Sequence, residues 1–126
     1  MQSSPAGSKS DSGPADKSAQ QTLLHAASLI SSAERLLTQA IGRSTNQSTL
    51  IALNREYARL DSLLSRLLHA QGCSAEELRS MLPVLKQQAA LLQSSESNIV
   101  ATAPDVVTAS TIVGYVTRAI NLIGSL

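Results

Sequence analysis

From Gln21 to Ile41 apolar residues fall near helical spacing, at Leu23, Ala27, Ile30, Leu37 and Ile41. That period predicts an amphipathic helix, with Leu24 and Leu36 widening its stripe and Glu34 and Arg35 mostly on the other side. Gly42 is expected to end it, and the polar stretch Arg43-Ser-Thr-Asn-Gln-Ser48 to connect it to the next element. A second helix is predicted to start near Ser48 or Thr49, either of which can cap. Along it Leu50, Leu53, Tyr57, Leu60, Leu64 and Leu67 repeat with spacing 3, 4, 3, 4, 3, a heptad seam suited to a long antiparallel neighbour. Ile51, Leu63 and Leu68 broaden the seam, which favours a bundle over an isolated coiled coil, while Arg55, Glu56, Arg59, Asp61 and Arg66 fall off it. The helix is expected to stop before Gly72.

Ser74-Ala-Glu-Glu77 has the form of a capping box, in which the serine hydroxyl and the Glu77 carboxylate reciprocally satisfy backbone donors. The stripe Leu78, Met81, Leu82, Leu85, Ala89, Leu92 and Ile99 follows, interrupted by Pro83. A proline inside a helix costs about 3 kcal/mol, so a short helix over 75–81 followed by a longer one is preferred to a single kinked helix. Beyond Pro104, Val106, Val113, Val116, Ile120 and Ile123 repeat at helical spacing, and Val107, Ile112, Tyr115, Ala119 and Leu122 cover much of the remaining circumference. Asp105 and Arg118 suit the positive and negative ends of this helix's dipole. The fold expected is therefore all-α, a small antiparallel bundle of three to four long helices over residues 21–126.

Residues 1–20 break the pattern. They hold six Ser, two Gly and two Pro and no large apolar residue after Met1, so a disordered tail is expected. The segment lacks the basic start and apolar run of a secretory signal peptide, which makes a cytoplasmic location the default expectation. A serine-rich type III export signal has the same general character.

Composition then narrows the chemistry. Tyr57 and Tyr115 are the only aromatic residues and the net charge is +1, which argues against a nucleic-acid reader. Cys73 is the single cysteine and His25 and His69 the two histidines, so neither a disulfide framework nor a cysteine zinc cage is available. No phosphate loop, HExxH or Gly-x-Ser-x-Gly motif occurs, and His69 and Cys73 lack an orienting acid. No catalytic residue, metal site, cofactor or enzyme activity is expected.

The last helix carries the functional expectation. Residues 106–126 contain one formal charge, Arg118. A helix apolar all round is buried in a bundle, spans a membrane or binds something. Arg118, Asn121 and several Ser and Thr residues make it a poor lipid span. The remaining readings are the central helix of a bundle and a docking surface, and a chain this small has few elements with which to enclose a helix. On the docking reading Val106, Val113, Val116 and Ile120 close the bundle. Val107, Ile112, Tyr115, Ala119 and Leu122 then receive a partner helix, with Tyr115 as anchor.

The order of elements also resembles a known family. A first helix carries Leu23-Leu24 and Ala33-Glu-Arg-Leu-Leu37, and a second carries Leu60-Asp-Ser-Leu-Leu64 and Arg66-Leu-Leu68. A Gly-x-Ser break at Gly72–Ser74 precedes Glu76-Glu-Leu78, and a long segment runs from Leu91-Leu92 through Asn98 to Val116. Over about residues 21–120 this resembles the flagellar export chaperones that hold hook-associated junction proteins before type III export. The resemblance implies a chaperone that binds the C-terminal helix of an unassembled client and delivers it to the export apparatus. It places client and export-gate contacts in roughly Ile99–Ile123, with Tyr115 as the aromatic at the gate. The chain departs from the family where Ile-Val-Ala-Thr follows Asn98 and where Pro104 interrupts the last helical region. The alternative function is an exported rod- or needle-like subunit that polymerises through its C-terminal helix, and a homo-oligomer is compatible with either. A regulatory bundle has the same sequence signature.

Overall fold

The computed structural model describes residues 17–126, which form four α-helices: α1 (Lys17–Arg43), α2 (Gln47–Ala70), α3 (Ala75–Thr102) and α4 (Val106–Gly124). Connections over 44–46, 71–74 and 103–105 are too short for anything but antiparallel neighbours. α1 packs on α2 and α4, and α3 packs on the same two, while the diagonal pairs are not in close backbone contact. The result is an all-α, up-down-up-down four-helix bundle.

The helix ends show which local chemistry prevails. α1 begins at Lys17, so Lys17–Gln20, expected in the tail, are helical, and Ala19 already packs against the core. The rest of the expected tail lies outside the described residues. Gly42 does not end α1, and no described glycine has a positive φ. Instead Ser44 closes the helix, its backbone N–H donating to the Ile41 carbonyl at 3.2 Å and its hydroxyl to the Ala40 carbonyl at 3.0 Å. Asn46, rather than Ser48 or Thr49, caps α2, its Oδ1 accepting from the Thr49 N–H at 3.1 Å. α3 opens on the expected capping box, with Glu77 N–H donating to Ser74 Oγ at 3.2 Å and Ser74 N–H to Glu77 Oε1 at 2.9 Å.

α3 is one helix, not two, and Pro83 sits inside it. Pro83 is exposed, and burial of Leu78 and Leu85 on either side keeps the turns in line. Pro104 does break the chain. Asp105 then caps α4, accepting from the Thr108 N–H at 2.7 Å.

Each helix turns a heptad-spaced stripe inward. In α1 the fully buried positions Leu23, Ala26, Ile30, Ala33, Leu37 and Ala40 alternate large and small, which lets neighbouring helices approach closely while the larger side chains fill the centre. In α2 the inward positions are Leu53, Glu56, Leu60, Leu63, Leu67 and Ala70. Leu53, Leu60 and Leu67 are shared with the seam read from sequence, whereas Leu50, Tyr57 and Leu64 are half-buried at its edge. In α4 the inward stripe is Ala109, Ile112, Val116, Ala119 and Ile123.

Candidate functional site

The structure divides the five residues expected to receive a partner. Ile112 and Ala119 are fully buried in the core, so they cannot present a surface. Tyr115 and Leu122 are half-buried and pack against the core. Val107 alone is open, at 75 % exposure. The face expected to close the bundle is displaced too: Val116 is buried, Val113 and Ile120 are half-buried, and Val106 is 83 % exposed. Periodicity located the helix but selected the wrong meridian: the exposed Ser110, Thr111, Thr117, Arg118 and Asn121 mark its outer face, and apolar spacing alone did not use them to orient it.

The open apolar surface is therefore at the α3–α4 turn. Val100, Ala103, Pro104, Val106, Ala109 and Val113 line a depression of about 390 Å³, with Asp105 and Ser110 as its polar members. Pro104 and the Asp105 cap stop the chain sharply enough for Val106 to stand out from the bundle end beside Val100, which is 61 % exposed. The turn is tied to α1 by Arg43, whose Nη2 donates to Thr108 Oγ1 at 3.1 Å and lies 3.5 Å from Asp105 Oδ2. Thr108 Oγ1 in turn donates to Asp105 Oδ2 at 2.9 Å. Hydrogen bonds from the Thr108 backbone N–H and hydroxyl, with help from Arg43, hold the Asp105 carboxyl below its ordinary pKa.

A second depression, of about 480 Å³, lies between α2 and α3 and is lined by Arg55, Ala58, Arg59, Ser62, Gln88, Leu91, Leu92 and Ser94. Gln88 Nε2 donates to Ser62 Oγ at 2.9 Å across it.

Polar side chains also enter the interior, which the sequence reading missed. Glu34 and Glu56, both expected on outer faces, are buried. Glu56 is fully partnered, with Arg59 Nη1 donating to Oε1 and Asn98 Nδ2 to Oε2, each at 3.2 Å. The Asn98 contact joins α2 to α3. Glu34 has no such donors: its Oε2 is unpartnered and its carboxyl faces Asp61 of α2. Burial, then the hydrogen bond and like charge of Asp61, push its pKa up to about 7. The negative charge of Glu34 in turn raises the pKa of Tyr57. Glu56 at an inward heptad position of the leucine-rich α2 stripe was the only signal for these contacts.

Among the described residues no group of three His, Cys, Asp or Glu side chains could hold a metal ion. The buried Cys73 thiol donates to the backbone carbonyl of His69 at 3.5 Å and lies 3.5 Å from Met81 Sδ. His25 is exposed. α4 is long and apolar enough to cross a membrane by length and composition alone, yet its inward stripe is packed into the bundle. These features define a four-helix bundle with open apolar and basic grooves. Comparison with family models, curated proteins and solved structures finds no match to this chain.

Proposed function

We propose that the bundle is a helical adaptor that holds an amphipathic segment of a client protein at the α3–α4 turn. One observation supports this above the others: Val106 and Val107 open α4 at 83 % and 75 % exposure, and Val106 shares a depression with the exposed Val100. The bundle core is already complete without them, so nothing in folding accounts for their apolarity. An amphipathic helix laying its apolar face over this end would remove all three from water. The resemblance to flagellar export chaperones gives the narrower reading, in which the client is an unassembled component of a flagellar or type III export system and the C-terminal third of the chain engages it.

The test is affinity capture with the full chain beside the variant Val100→Ser, Val106→Ser and Val107→Ser. A client that copurifies with the wild type and is lost by a variant of unchanged helicity and thermal midpoint is the expected result. Retention of the same client by the variant would overturn this site. If light scattering instead shows filaments that the variant abolishes, the exported-subunit reading replaces the adaptor.

A further inference from the structure

We propose that the α2–α3 groove is a second docking surface, independent of the α3–α4 turn, and that its occupant is an acidic amphipathic helix. Arg55, Arg59 and Arg66 are separated by four and seven residues, which at 3.6 residues per turn puts them within about 40° of one another on α2. On α3, Val84 and Leu91 are separated by seven residues and share a face, at 44 % and 65 % exposure. The Gln88–Ser62 hydrogen bond fixes how the two helices are aligned. Counting outward from that pair in opposite directions sets Leu91 opposite Arg59 and Val84 opposite Arg66. An apolar ridge on α3 therefore runs beside a basic stripe on α2.

The two depressions between these helices lie along this track. The larger holds Arg55, Arg59 and Leu91, and a smaller one of about 150 Å³ holds Arg66, Val84 and Leu85. From residue 55 to residue 66 α2 rises about 16 Å, or three helical turns. That length matches a partner helix with apolar anchors at i, i+3 or i+4, and i+7.

Charge identifies the partner's other face. No carboxylate lines either depression. The two acids of α2 are engaged elsewhere: Glu56 is 2 % exposed and occupied by Arg59 and Asn98, and Asp61 faces Glu34 of α1. Among the described residues Arg55 and Arg66 form no ion pair. A helix seated on Val84 and Leu91 with Asp or Glu along its α2-facing flank would satisfy both, whereas a basic helix would meet only like charge.

Selection from a random displayed-peptide library against the full chain tests this. The expected winners are net acidic, with apolar residues spaced i, i+3 or i+4, and i+7. Fluorescence anisotropy with the best peptide should show about a tenfold loss of affinity for Arg55→Glu with Arg66→Glu, both exposed positions away from the core. A comparable loss is expected for Leu91→Ser, and further weakening in about 1 M salt. Winners that are neutral or basic would overturn the proposal, as would affinity untouched by the arginine reversals. Loss of the peptide on Val106→Ser with Val107→Ser, and not on the arginine reversals, would assign it to the α3–α4 turn and refute a separate groove.

Discussion

α2 and α4 both turn a heptad-spaced stripe into the same core, but their outer faces have opposite character. Around α2 the outside is marked by Arg55, Arg59, Asp61 and Arg66, and the core positions are held mainly by leucine. Around α4 only Arg118 carries charge, and the two most exposed large apolar residues of the described chain, Val106 and Val107, lie in its first turn. The difference separates two uses of apolar residues. In α2 the large apolar residues are at least half-buried except Ile51 and Leu68, which lie 17 residues apart near its two ends. In α4 the inward five complete the core, Val113, Tyr115, Ile120 and Leu122 pack against it, and the adjacent Val106 and Val107 are the surplus, which is where a binding function has room to act.

The contrast is most easily broken at the centre of α2. Leu60 is fully buried, so Leu60→Ala should lower the unfolding free energy by about 2–4 kcal/mol, as measured by urea denaturation. A loss under about 0.5 kcal/mol, the scale of surface substitutions, would mean that α2 presents a different face.

A smaller effect is expected at the α1–α2 seam, where Glu34 meets Asp61. Its native pKa of about 7 lies above the ordinary value of 4.5, so the folded state holds this proton more tightly than the unfolded one. The stabilisation is complete below the unfolded pKa and is lost as pH rises through about 7. Between about pH 5 and about pH 8 it should amount to about 1–2 kcal/mol, less than the full shift implies because exposed Asp61 keeps part of the pair in water. Glu34→Gln should flatten that slope, as followed by urea midpoints across pH. An unchanged slope would show that the Glu34 carboxyl does not titrate there.

The same contrast explains what the sequence revealed. An all-α bundle of three to four long helices, the Ser74–Glu77 capping box and the core role of Leu53, Leu60 and Leu67 were legible because each depends on contacts a few residues apart. Pro83 misled because its local cost is outweighed by tertiary burial of Leu78 and Leu85, which no local rule contains. Glu56 was placed outside because charge normally marks solvent. Its partner Asn98 is 42 residues away in sequence, so the contact that makes burial tolerable is invisible to spacing. Ile112 and Ala119 were assigned to the outer face because the polar stripe Ser110, Thr111, Thr117, Arg118 and Asn121, all exposed, was not used to orient α4, which packs its opposite side against α1 and α3.

The most direct test of the division within α4 is a paired urea denaturation of Ile112→Ser and Val107→Ser, two apolar-to-polar changes five residues apart on one helix. The inward position should lose several kcal/mol, through lost packing and a buried hydroxyl, whereas the outward position should stay within about 0.5 kcal/mol of the wild type. Equal losses would make the whole of α4 structural and leave no surplus for a partner. A stable Ile112→Ser beside an unfolded Val107→Ser would contradict the packing face described for this helix.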